Sequence, residues 1–219
     1  MKQCHLITST TFSSQEMFEK ILEESFDLTK VSIRDLFLDK LRNESESELA
    51  KSINKYLQSA ELVPAKLISE LIKEKLIGIE NGLLITGYPR TKEQFESLTE
   101  LLTEFGIKIS RLWILELQNI DKLISERGNE STREQIIEKY NSTIKQNEQI
   151  AELINNPKIT SKIGFDYEMD WINEKMKIKA MHNNGYSSLR LNSVFGIHRF
   201  LVYSFYIGKI RRDFSATKP

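Results

Sequence analysis

Cysteine is nearly absent from this 219-residue chain, which contains only Cys4. A single cysteine excludes an intrachain disulfide, and with only three histidines it also excludes zinc sites of the Cys4 or Cys2His2 type. No apolar run reaches the roughly 20 residues of a membrane span, and the apolar stretch after Met1 is too short for a signal-peptide core. We therefore expect an intracellular, cytoplasmic protein with no transmembrane segment. Import into an organelle without a recognisable presequence stays open.

An excess of charge is also missing, because Lys and Arg number 31 and Asp and Glu number 31. A balanced chain has no overall field to attract nucleic acid, so we expect no nucleic-acid partner. The balance is uneven along the chain: residues 182–219 hold six basic side chains and one acidic one, a net charge of +5, which leaves −5 on residues 1–181. The three histidines are scattered and no carboxylates cluster around them, so we assign no metal site.

Short apolar runs alternate with segments of helical period. The runs predict strands at 4–8, 28–32, 82–86, 111–117 and 158–163. The periodic segments predict helices at 15–24, 35–42, 48–58, 64–76, 92–105, 120–127, 131–155 and 166–181. This alternation predicts an α/β fold with a parallel sheet and helices on both faces. A loop signal at 182–188 predicts a boundary between a domain at 1–181 and an extension at 182–219.

The segment Gly87-Tyr88-Pro89-Arg90-Thr91 lies between a predicted strand and a predicted helix that contains Gln94. A glycine at the end of a parallel strand lets the backbone approach a ligand. An arginine beside it offers a planar, permanently charged group to a phosphate. The alternative is a plain connection between strand and helix that carries a solvated arginine.

This segment resembles the monophosphate-binding signature of adenylate kinases and related nucleoside monophosphate kinases. Segments 45–53 and 60–72 resemble the family's monophosphate-binding arm and the helix after it. The resemblance covers residues 1–181 in element order and does not cover the rest. It implies a P-loop-NTPase-like α/β fold with a helical monophosphate-binding arm and a minimal lid.

The resemblance also implies roles for individual residues. Gly87 would let the backbone approach the ligand, Arg90 would bind the phosphate of a monophosphate, and Gln94 would hydrogen-bond its base. The backbone near Leu62 and Val63 would line the base pocket. The ligand implied is AMP or another nucleoside monophosphate.

The chain departs from this family at the phosphate loop. The family has a glycine-rich loop of the G-x-x-x-x-G-K-[ST] kind after its first strand. Here the loop contains neither glycine nor lysine. The residues that follow Thr8 are Ser9, Thr10, Thr11, Phe12, Ser13 and Ser14. Without glycines, the N–H groups cannot easily turn inward around an anion, and Phe12 brings apolar bulk close to the lysine position. We expect a degenerate phosphate loop and a weak anion site.

Other groups of the family are altered as well. Thr86 stands where an aspartate usually organises magnesium, which weakens the hold on a divalent cation. In the first helix of the arm, a threonine and a phosphate-binding arginine become Ile33 and Leu38, and Arg34 is a substitute one turn earlier. Arg127 is the remaining candidate for the donor phosphates, and the alternative is a solvated charge at a helix end.

These losses predict a pseudoenzyme that keeps part of the monophosphate site and acts as an accessory or interaction subunit. We assign no catalytic residue and no cofactor, and magnesium is expected only if the protein is active. The rival interpretation is an active nucleoside monophosphate kinase with a non-standard donor site. A third is a purely structural protein whose acceptor pocket is closed.

The segment 194–212 is aromatic and ends in basic residues, which predicts docking on a protein partner. One alternative is a strand or helix that covers the protein's own sheet edge. Another is a peripheral membrane contact through Lys209, Arg211 and Arg212.

Overall fold

The computed structural model describes residues 2–10, 15–59, 61–127, 130–165 and 188–190. The helix predicted at 166–181, the docking segment at 194–212 and the loop residues Thr11, Phe12, Ser13 and Ser14 lie outside these residues.

The strands of the described residues form one sheet. They are β1 (Lys2–Ser9), β2 (Leu28–Ser32), β3 (Gly82–Thr86), β4 (Ile107–Leu117), β5 (Thr160–Phe165) and β6 (Ser188–Arg190). The order is β2-β3-β1-β4-β5-β6, and every neighbouring pair is parallel. The five predicted strands are confirmed, and β4 begins four residues earlier than predicted. The sequence analysis missed β6, because three residues are too few to show a period.

The predicted helices of the described residues are also confirmed, within a few residues at their ends. They are α1 (Glu16–Phe26), α2 (Ile33–Asn43), α3 (Glu48–Gln58), α4 (Ala65–Leu76), α5 (Lys92–Glu104), α6 (Ile120–Arg127) and α7 (Glu130–Ile154). Three of them begin with a side-chain cap: Ser32, Ser47 and Thr91 each accept a hydrogen bond from the backbone N–H three residues later. Gly106 follows α5 in the left-handed conformation, with φ of +65°, as the sequence predicts.

The two faces of the sheet carry separate cores. α1 packs on the face that presents Ile7, Leu84 and Leu115. α4, α5 and the C-terminal part of α7 pack on the opposite face, which presents Leu6 and Ile114. Ile136 and Tyr140, nearer the start of α7, pack against the first core. The chain thus leaves β1 toward one face and leaves β3 toward the other. In open α/β sheets, ligands bind at the carboxyl ends of the strands at such a switch point.

The prediction of a separate extension at 182–219 stays a prediction, because only Ser188–Arg190 of that range is described, as a strand paired with β5. Within the described part of the chain, no helix combines the length and the apolar character needed to cross a bilayer.

Candidate functional site

The turn after β3 positions Gly87 and Arg90. Gly87 has φ of +79°, and no heavy atom lies within 4 Å of the place where its Cβ would stand. The glycine is therefore required by the backbone conformation and not by lack of space. Arg90 is exposed, and its Nε donates a hydrogen bond to the carbonyl oxygen of Gly87 at 3.3 Å. This bond holds the guanidinium group over the carboxyl end of β3.

Gln94 lies in the first turn of α5, which begins after its cap Thr91. The Gln94 side chain is buried and has two backbone partners. Its Oε1 accepts from the Arg90 N–H at 2.8 Å, and its Nε2 donates to the carbonyl oxygen of Val63 at 3.2 Å. The two bonds fix the orientation of the amide and join the turn after β3 to the segment before α4.

The remaining predicted residues of the monophosphate site lie around this cluster with different exposure. Val63 is 4% exposed, whereas Leu62 is 47% exposed. Arg34 lies exposed in the first turn of α2, two residues after Ser32. Ser32 pairs with Thr86 in the sheet register, so α2 begins beside the end of β3. Among the described residues, no hydrogen bond connects Arg34 to Arg90 or Gln94.

The chain after β1 is bonded to the end of β4. Thr10 is 1% exposed, its N–H donates to the carbonyl oxygen of Leu115 at 2.9 Å, and its Oγ1 accepts from the N–H of Leu117 at 3.0 Å. Tyr140 of α7 donates its hydroxyl to the carbonyl oxygen of Leu117 at 2.7 Å. Thr10 therefore continues alongside β4 for one more residue. The sequence analysis missed Tyr140, and nothing in its immediate sequence signals this contact.

A polar network fills the start of α1. The Ser9 hydroxyl donates to the Gln15 Oε1, and the Gln15 Nε2 donates to a carboxylate oxygen of Glu19 at 2.8 Å. The other Glu19 oxygen forms a salt bridge with Lys30 of β2 at 3.2 Å. The Glu19 side chain is only 5% exposed. The sequence analysis missed this network, although the i, i+4 spacing of Gln15 and Glu19 was a signal for its first link.

The charged groups around Lys30 change its pKa. Burial lowers the pKa of Lys30, but the charge and hydrogen bond of Glu19, together with the charges of Glu23 and Asp35, raise it more, so the net pKa lies above the usual value. Lys30 is thus held as a cation.

Two other groups of the site region are buried. Tyr88 is 1% exposed, and burial raises its pKa to about 12. Thr86 is 4% exposed. Arg127 is the last residue of α6, and its side chain lies outside what the structure describes. Across the described ranges, no group of three or more His, Cys, Asp or Glu could hold a metal ion.

Comparison with known proteins places the chain beside adenylate kinases. The model of the family described as "Adenylate kinase" matches residues 17–177. The adenylate kinase of Caldicellulosiruptor bescii is 33% identical over 108 residues, 48% of each chain. That of Streptococcus pneumoniae Hungary19A-6 is 37% identical over 109 residues, 48% of this chain and 49% of the relative. That of Thermococcus onnurineus is 30% identical over 125 residues, 56% of this chain and 55% of the relative. These alignments thus span about half the length of the curated relatives.

Proposed function

The chain belongs to the adenylate kinase family, and from this premise we propose that it binds a nucleoside monophosphate at the carboxyl end of β3 without transferring phosphoryl groups at ordinary kinase rates. The observation that carries the proposal is the hydrogen-bonded cluster of Arg90, Gln94 and Val63. This cluster joins a cation for a phosphate to polar groups for a base, and it connects the turn after β3 to the segment before α4.

Arg90 is the proposed phosphate ligand. Its Nε is used by Gly87, and its two terminal nitrogens make no hydrogen bond with the described residues. A guanidinium group with free parallel N–H groups suits the oxygens of a phosphate. Arg34 is the proposed second cation, because α2 begins beside the end of β3.

Gln94 and Val63 are the proposed base ligands. The Gln94 oxygen is taken by the Arg90 N–H, and one N–H of its amide is taken by Val63. One N–H of the Gln94 amide and one lone pair of the Val63 carbonyl oxygen remain available. Together they match a base edge on which a hydrogen-bond acceptor lies next to a donor. The exposed Leu62 side chain offers apolar surface beside them. The relatives' name, adenylate kinase, makes AMP the first candidate.

The residues at the expected phosphate-donor site support the proposal that the protein does not transfer phosphoryl groups at ordinary kinase rates. The segment 9–14 has no glycine or lysine, and Thr86 stands where the family resemblance implies an aspartate that would organise magnesium. The family match begins at residue 17, after this segment. Removing one group that stabilises the transition state commonly costs 10²-fold or more in rate, so several losses together would leave little transfer. We therefore assign no catalytic residue, and magnesium is required only by the rival.

Calorimetry with AMP, CMP, GMP and UMP tests the proposal that the protein binds a nucleoside monophosphate. We expect at least one of them to bind, and Arg90→Ala to weaken it by about 10-fold or more, because a hydrogen bond to a charged group is worth about 1.5–3 kcal/mol. Lys92→Ala is the matched control, since it removes an exposed cation two residues away. Absence of binding by all four monophosphates would overturn the proposal and favour a structural protein with a closed pocket.

The rival function is an active nucleoside monophosphate kinase with a non-standard donor site, and the names of the relatives favour it. Mixing the protein with AMP, ATP and magnesium and following ADP decides between the two. Turnover of ordinary kinase size that is lost in Arg90→Ala would show that the protein is an enzyme. The accessory role through segment 194–212 remains a proposal that rests on the composition of that segment.

A further inference from the structure

Helix α2 carries Arg34, and a charged side chain interrupts the apolar stripe by which this helix packs. Ile33, Leu36 and Phe37 contribute to the core on the face covered by α4 and α5. Lys40 is the next member of the same stripe, because residues spaced i, i+3, i+4 and i+7 share one face of a helix. It is 9% exposed and lies deeper than Leu36 or Phe37. An ammonium group thus stands where an apolar side chain would suit the packing.

The Lys40 ammonium is bound by two carboxylates from different parts of the chain. Its Nζ lies 3.1 Å from one oxygen of Glu74 in α4 and 2.9 Å from an oxygen of Glu44, which follows the last residue of α2. It also donates to the second oxygen of Glu74 at 3.3 Å. The hydrogen bond with Glu44 raises the pKa of Lys40, burial lowers it, and Glu74 raises it further, so the net pKa lies above the usual value. Lys40 therefore keeps its charge.

The two ion pairs differ in what they join. The Glu44 pair spans i, i+4 at the end of α2. The Glu74 pair crosses from α2 to α4, and the two helices are in contact. Among the described residues, no other side chain of α2 forms a hydrogen bond or an ion pair with another helix. Lys40 and Glu74 are thus the polar connection between these two helices.

Stability alone does not account for a lysine at this place. The Glu74 and Glu44 side chains are 60% and 53% exposed, so water screens their attraction to Lys40. Removing the ammonium from water opposes this attraction, and apolar side chains of similar volume often replace a buried ion pair without loss of stability. A directional ion pair instead specifies how two helices align, which apolar contacts do less sharply.

We propose that Lys40 is a positioning residue, whose ion pair with Glu74 sets where α2 lies on α4 and thereby places Arg34 beside the end of β3. Arg34 and Lys40 belong to one short helix that begins after Ser32, so a shift of this helix along α4 would carry Arg34 with it. The inference rests on the proposed function, in which Arg34 binds the phosphate of a monophosphate. The placement of α2 itself is measurable without a ligand.

Calorimetric titration with the monophosphate that binds compares the two carboxylates. We expect Glu74→Gln to weaken binding about threefold or more, because it releases α2 and displaces a cation that would bind the phosphate. Glu44→Gln is the matched control, because it removes a charge at a similar distance from Lys40 but no contact with α4, and it should leave the affinity unchanged. Equal effects of the two variants would overturn the inference.

Lys40→Met separates positioning from stability. It should weaken binding as Glu74→Gln does, while urea unfolding shows a stability equal to that of the wild type or higher. A loss of stability that parallels the loss of affinity would show a merely structural role and overturn the inference. If Lys40→Met does not fold, the exposed Glu74→Gln still decides. In an Arg34→Ala background, Glu74→Gln should weaken binding no further, and additive losses would contradict the positioning role.

Spin labels measure the placement of α2 in the protein without ligand. Asp39→Cys in α2 and Glu100→Cys in α5 provide exposed labelling positions, and the native Cys4 is fully buried. We expect double electron–electron resonance to give a shifted or broader distance distribution in Glu74→Gln and not in Glu44→Gln. Unchanged distances in both variants would overturn the inference. If the wild type binds no monophosphate, the proposed site is rejected, while the distances still decide whether Glu74 fixes α2.

Discussion

Single side chains at this site carry structure as well as the proposed recognition, and Gln94 is the clearest case. The sequence placed it in the first turn of a helix after the Gly87–Arg90 turn, and the family resemblance implied contact with a base. The structure adds that its amide already bonds the Arg90 N–H and the Val63 carbonyl oxygen. The bond to Val63 could not be predicted from the sequence, because Val63 lies 31 residues away from Gln94.

Replacing Gln94 with leucine tests this double role. We expect Gln94→Leu to lower the free energy of unfolding by about 1–3 kcal/mol, because it leaves the buried Val63 carbonyl and the Arg90 N–H without partners. We also expect AMP binding to be lost. Urea denaturation and calorimetry measure the two effects, and Gln58→Leu at the exposed end of α3 is the control for the substitution itself. A Gln94→Leu protein as stable as the wild type would contradict the bonding described for this amide.

At the scale of elements, α5 determines where the site residues stand. Its first residue follows Thr91, whose Oγ1 accepts from the Gln94 N–H at 3.2 Å. The sequence located this helix to within one residue at its C-terminal end, because the apolar period and Gly106 mark it clearly. Its start depends on Thr91, which also positions Gln94, so the cap is linked to the proposed base ligand.

Removing this cap should weaken the helix start. We expect Thr91→Ala to lower the free energy of unfolding by about 1 kcal/mol, the usual cost of a lost N-cap, and Thr91→Ser to lower it much less. Thr99→Ala is the control, because the Thr99 hydroxyl bonds only the carbonyl oxygen of Phe95 within the same helix. Urea denaturation of the variants provides the measurement. Equal losses from Thr91→Ala and Thr99→Ala would argue against the capping role.

At the scale of the whole molecule, the central strands connect the two cores. Ile114 and Leu115 are neighbours in β4 and are both fully buried. Ile114 belongs to the core under α4 and α5, and Leu115 belongs to the core under α1. The sheet is therefore the shared wall of both cores, and neither core can be lost without exposing the strands that support the other.

We expect Ile114→Ala and Leu115→Ala each to lower the free energy of unfolding by about 2–5 kcal/mol, because each leaves a cavity in a packed core. Each variant should still unfold in one transition when followed both by far-ultraviolet circular dichroism and by tryptophan fluorescence. Lys108→Ala, an exposed position in the same strand, should have little effect. Separate transitions for the two probes would show that the cores are independent.

The sequence by itself determined the order of β1–β5 and α1–α7, the parallel α/β fold and the Gly87–Arg90 turn, because apolar period, caps and turn residues act over a few neighbouring positions. Only the tertiary structure decided what surrounds that turn. Glu19 meets Lys30 across 11 residues, and Thr10 meets Leu117 across 107. Such contacts depend on which strands lie side by side, and the order in the sheet brings β2, β3, β1 and β4 together in a sequence that local patterns do not encode.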